Sequence, residues 1–64
     1  MAMDCRLILS VRELQIARLI VDGLNTKEIA SKLYISENTV KFHRKNIYKK
    51  LKIQKSLELI NVFH

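Results

Sequence analysis

The chain has no proline and only one glycine in 64 residues. Both residues punctuate turns, so their scarcity disfavours a loop-rich or many-turned β fold and favours helices joined by short connections. There is one cysteine, Cys5. It can form no internal disulfide and build no thiolate metal site, and it reads as an incidental thiol near a loose terminus, compatible with a reducing cytoplasm. No apolar run approaches the roughly 20 residues needed to cross a bilayer, and no charged leader followed by an apolar stretch marks a secretory signal. Catalytic groupings are lacking too. Glu13 has no second carboxylate or Ser/His/Asp set at a useful spacing, so it reads as a cap and packing support, and no enzyme is expected. His43 has no second His, Cys or acid at ligand spacing, so neither metal nor cofactor is expected; it reads as a packed or capping histidine, with a phosphate hydrogen bond as the alternative.

About half of the residues are apolar, which is globular rather than disordered. The length allows one domain, expected over residues 9–64 behind a flexible leader of residues 1–8. So short a chain buries little core and should lean on a partner or on self-association. The net charge is +6, from twelve Lys and Arg against six Asp and Glu. Seven of the twelve cations (Lys41, Arg44, Lys45, Lys49, Lys50, Lys52 and Lys55) fall in one 15-residue window without an acid. The positive charge is thus concentrated, which points to a polyanionic partner.

Four helices are expected, near residues 10–22, 26–33, 37–51 and 55–63, in an all-α fold. Ser10-Val11-Arg12-Glu13 has the form of a capping box, and Asn25-Thr26-Lys27-Glu28 repeats the device. Gly23 stops the first helix, and Ser36 caps the third. Apolar residues recur at helical spacing: Ile16, Ala17, Leu19, Ile20 and Val21, then Ile29, small Ala30 and Leu33. At about 100° per residue, Val40, Ile47 and Leu51 form an inward stripe of the third helix, with His43 at its edge. Lys41, Arg44, Lys45, Tyr48, Lys49 and Lys52 fall on the opposite side. The Tyr48 ring covers the core edge, with its hydroxyl reaching water or phosphate. The fourth helix carries Leu57, Leu59, Ile60, Val62 and Phe63 almost all round. Eight residues cannot bury every side, so a second protomer is the simplest cover for the remainder.

The second and third helices are joined by about four residues, with a small residue in the former and a cap opening the latter. This is helix-turn-helix spacing, and the basic outer face of the later helix makes it more specific. The run Leu9-Ser10-x-Arg12-Glu13, Gly23, Asn25-x-Lys27-Glu28-Ile29-Ala30, Leu33-x-Ile35-Ser36, Thr39-Val40-Lys41-x-His43 and Ile47-x-x-Lys50-Leu51 resembles the LuxR-type (LuxR/NarL/FixJ) helix-turn-helix family. The resemblance extends from Leu9 to about Leu59. It implies a four-helix domain of bacterial transcription regulators, usually the C-terminal output part of a longer, cytoplasmic protein. It also implies dimers on two DNA half-sites, paired through the fourth helix.

Carried over by position, the resemblance places Lys41, Phe42 and Lys45 at base edges in the major groove. Thr26, Lys27, Asn38, Thr39, Arg44 and Lys49 would meet the DNA backbone. Leu57, Asn61 and Val62 would form the homodimer contact, and RNA polymerase is a further candidate partner. Phe42 is bulky where the family often has a smaller or polar residue. Two fates are open to it, a thymine methyl or packing against protein. Lys55-Ser56-Leu57 lacks the arginine the family often has at the start of the last helix. The expected function is sequence-specific binding of double-stranded DNA in transcription regulation. The alternative is a protein-interaction or dimerisation module of the same fold without DNA readout. A membrane-surface role fits poorly, because the cations share a helix with a stripe suited to burial against neighbours.

Overall fold

The computed structural model describes residues 8–63, and of Phe63 the backbone only. The expected leader therefore lies, apart from Ile8, outside the described residues, as does Cys5. Among the described residues the helices are α1 (Val11–Val21), α2 (Thr26–Leu33), α3 (Glu37–Leu51) and α4 (Ser56–Phe63). The fold is all-α, as the composition and spacing imply.

Three helix starts are fixed by side chains only three residues away. The Ser10 hydroxyl accepts from the Glu13 N–H at 3.2 Å, while the Ser10 N–H donates to Glu13 Oε1 at 2.8 Å. Asn25 Oδ1 accepts from the Glu28 N–H at 2.8 Å, and the Asn25 N–H donates to Glu28 Oε1 at 2.9 Å. Ser36 Oγ accepts from the Thr39 N–H at 3.1 Å, and the two hydroxyls lie 2.8 Å apart. Each device satisfies amide groups that a helix start otherwise leaves without partners.

The first three helices end in the same way, with a left-handed residue and a pair of reversed hydrogen bonds. After α1, the Gly23 N–H donates to the Ile20 carbonyl and the Leu24 N–H to the Leu19 carbonyl, at 3.0 and 3.1 Å. After α2, the Tyr34 N–H donates to Ser31 and the Ile35 N–H to Ala30, at 3.4 and 3.0 Å. After α3, the Lys52 N–H donates to Lys49 and the Ile53 N–H to Tyr48, at 3.3 and 2.9 Å. Gly23 takes a φ of 97° at no steric cost, but Tyr34 and Lys52 are each held at a φ of 57°. Side-chain-bearing residues rarely adopt that region. The short connections that follow α2 and α3 are thus strained helix stops rather than plain links.

The core is Leu9, Ile16, Ala17, Ile20, Ile29, Ala30, Val40, Ile47 and Leu59. α1 is its centre: it packs against α2, α3 and α4, and α2 packs against α3. Ala30, the small residue noted in α2, is buried and so admits close helix approach. Ile8 is half-buried against the same core. Glu13 is the charged side chain buried among these apolar residues, at 4% exposure. It occupies the position three before Ile16, four before Ala17 and seven before Ile20, so the helical repeat turns it inward with them.

Candidate nucleic-acid interface

α3 presents three kinds of surface. Taking about 100° per residue, Val40, Ile47 and Leu51 form the inward stripe; the first two are fully buried and the last half-buried. On the opposite arc stand Asn38, Lys41, Phe42, Lys45, Lys49 and Lys52, all exposed. That arc carries no acid. Between stripe and arc lie two flanks, and each is tied to another helix.

The first flank carries Arg44 and Tyr48, which the helical projection put on the cationic side. Both are half-buried instead. Arg44 Nη1 donates to Thr26 Oγ1 at 2.9 Å and Arg44 Nη2 to the Tyr48 hydroxyl at 3.1 Å. The guanidinium carbon also lies 5.9 Å from the Tyr48 ring centre, within cation–π range. The expectation of a Tyr48 hydroxyl reaching water or phosphate is corrected to this extent: it accepts from Arg44. Arg44 therefore joins α3 to the first residue of α2, the two helices of the helix-turn-helix.

The second flank carries Lys50, whose Nζ donates to Glu13 Oε1 at 2.7 Å. The same oxygen accepts from the Ser10 N–H. Burial pushes the Glu13 carboxyl upward, but hydrogen bonds from Lys50 and the Ser10 backbone, with the Lys50 charge, outweigh it and hold the group below its ordinary value of 4.5. Lys50 thus belongs to the fold rather than to the outward charge. The clue was in the sequence: Glu13 on the inward face of α1 calls for a donor or cation within reach.

Of the seven cations in the acid-free window, Lys41, Lys45, Lys49, Lys52 and Lys55 are exposed and make no ion pair among the described residues. Phe42 is 62% exposed. Its ring meets the His43 ring edge-on, with centroids 5.8 Å apart and planes at 67°. His43 is half-buried, and its Nδ1 is enclosed without a hydrogen-bond partner.

The remaining expected backbone contacts stand at helix starts. Lys27 is exposed in the first turn of α2, next to Thr26. Thr39 is half-buried with its hydroxyl against Ser36. On α4, Leu59 is buried, whereas Leu57 and Val62 are 67% and 40% exposed and Asn61 is exposed as well. The interface residues expected there therefore face away from the domain's own core. Among the described residues no helix is long and apolar enough to cross a membrane.

This arrangement is a helix-turn-helix domain with an acid-free cationic arc on its second helix. Residues 7–63 match the family described as bacterial regulatory proteins, luxR family, and the chain belongs to that family of DNA-binding transcription regulators. It is 50% identical over 54 residues to Fimbriae Z protein of Escherichia coli (strain K12), covering 84% of this chain and 26% of that protein. It is 47% identical over 53 residues to the oxygen regulatory protein NreC of Staphylococcus carnosus (strain TM300), covering 83% and 24%. It is 44% identical over 54 residues to the response regulator protein TmoT of Ectopseudomonas mendocina, covering 84% and 24%. The chain spans about a quarter of the length of these relatives. The family is made up of regulators that are not enzymes.

Proposed function

We propose that the chain binds double-stranded DNA at a specific sequence in bacterial transcription regulation, with α3 in the major groove. In this reading Lys41, Phe42 and Lys45, in the first half of α3, stand at base edges. Asn38, Thr39 and Lys49, with Thr26 and Lys27 at the start of α2, hold phosphates. Arg44 serves the backbone through the donors left over after Thr26 and Tyr48, and chiefly fixes the angle between α2 and α3. Two copies pair through Leu57, Asn61 and Val62 of α4 on two half-sites.

The observation that carries this reading is the exposed arc of Lys41, Phe42, Lys45 and Lys49 with no acid among them. Solvated helix faces usually mix signs. A face of one sign attracts a polyanion and gains from counterion release. The family membership supports the same partner.

Selection of bound duplexes from a random pool, followed by titration at several salt concentrations, tests it. The expected result is a recovered half-site bound at least about a thousandfold more tightly than random duplex. If no selected duplex exceeds the non-specific level, the domain is instead a protein-interaction module, and the exposed Leu57 and Val62 are where that partner should be sought.

A further inference from the structure

Phe42 stands out on the exposed arc. Its neighbours there, Asn38, Lys41, Lys45 and Lys49, are polar or cationic and suited to phosphates or to acceptors on base edges. A phenyl ring can donate and accept nothing, yet it is 62% exposed. Within the protein it touches the His43 ring edge-on, and most of its surface stays open to solvent. Of the two fates open to Phe42 in the sequence, packing into its own protein is therefore the one its exposure disfavours.

The floor of the major groove offers hydrogen-bonding groups at every base pair and one apolar feature, the C5-methyl group of thymine. We propose that Phe42 is a specificity-determining residue that reads a thymine C5-methyl group, an inference that rests on the placement of α3 in the major groove. The ring is suited to this by its support as well as by its exposure. His43 is half-buried in the body of the domain, so the edge-on contact braces the Phe42 ring against a fixed neighbour. A braced ring has less rotamer freedom to lose on binding, which leaves more of the apolar contact as affinity. Lys41, next to Phe42, and Lys45, three positions beyond it, carry the charge that brings the groove to the ring. The methyl group then distinguishes thymine from cytosine at that step.

Deoxyuridine differs from thymidine only by that methyl group, so it isolates the contact without altering base pairing. Duplexes selected by this chain are synthesised with each thymine replaced in turn by deoxyuridine, and Kd is measured at fixed salt for the wild-type chain and for Phe42→Ala. Phe42 lies outside the core, and circular dichroism checks that the variant keeps its helices. Loss of one buried methyl group should raise the wild-type Kd about fourfold at the contacted thymine. Phe42→Ala should bind both duplexes equally, and Phe42→Leu should retain part of the discrimination. Wild-type binding indifferent to deoxyuridine at every thymine overturns the inference and leaves the DNA-binding reading standing. Undiminished discrimination in Phe42→Ala overturns it in the same way. Failure to select any duplex above the non-specific level overturns both.

Discussion

Lys50 Nζ lies 2.7 Å from Glu13 Oε1, joining the last turn of α3 to the first turn of α1 across 37 positions of sequence. The carboxylate side of this pair is 6% exposed and the ammonium side 43%. Losing the two ends should therefore have unequal effects. Glu13→Ala removes the capping-box partner and the acceptor for Lys50 together, and should cost about 2–3 kcal/mol. Lys50→Met leaves a nearly buried carboxylate with only the Ser10 amide, and should cost about 1–2 kcal/mol after allowance for the half-exposed ammonium. Urea denaturation of both variants checks the order.

The same pair sets a dependence on acid. The folded carboxyl titrates below its ordinary 4.5, so its stabilising contribution is full above that value and is lost as pH falls through the folded one. The midpoint of thermal unfolding should drop below about pH 4.5 in the wild-type chain. It should drop less in Glu13→Gln, which keeps a side chain able to cap but has nothing to protonate. Equal acid sensitivity in the two proteins would remove Glu13 as the cause.

Arg44 and Thr26 should behave as one unit. Arg44→Ala loses two hydrogen bonds and a cation–π contact, an expected cost of about 1–2 kcal/mol. Thr26→Val should cost less, and little further in the Arg44→Ala background. A double-mutant cycle in chemical denaturation measures this coupling. Additive costs would mean that the 2.9 Å contact contributes nothing in solution.

One of the strained stops can be relieved. Tyr34 is 94% exposed at a φ of 57°, so its side chain brings strain with almost no burial to offset it. Tyr34→Gly should raise stability by about 0.5–1 kcal/mol. Gly23→Ala should lower it by a similar amount because of its φ of 97°, although a Cβ there would meet nothing within 4 Å. Calorimetry on the two variants should give midpoint shifts of opposite sign.

What was legible in the sequence was local. The caps at Ser10, Asn25 and Ser36 need only residues three positions apart, and the stripe of Val40 and Ile47 needs only the helical repeat. The flanks of α3 were not legible in the same way. A projection of α3 separates inward from outward, but it does not say which neighbour lies beside Arg44 or Lys50. Their partners, Thr26 and Glu13, stand 18 and 37 positions away. Arg44 therefore looked like one more outward cation, although it bridges two helices. The stops at Tyr34 and Lys52 were hidden because no glycine marks them.

Charge-removing substitutions should sort the cations in the same way. Lys45→Ala and Lys49→Ala should each reduce the slope of log affinity against log salt by up to about one unit, if each ammonium releases a counterion from a phosphate or its vicinity. Lys50→Met should leave that slope unchanged, because its charge is already matched by Glu13. Fluorescence anisotropy with one duplex at four or more salt concentrations gives the slopes. A change of slope in Lys50→Met as large as in Lys49→Ala would contradict the division of the basic stretch into unpaired and paired charge.

The short-range caps also bear on the order of assembly. A chain whose helix starts are marked by neighbours three residues away can begin ordering without closing a long loop, and helical topologies of this kind fold in microseconds to milliseconds. The tie between Lys50 and Glu13 spans most of the chain, so it should close after the rate-limiting step. Temperature-jump relaxation should then find Lys50→Met unfolding faster than the wild-type chain while refolding at the same rate. The hydrogen bond between Lys50 and Glu13 would act as a latch on lifetime rather than as a guide to folding.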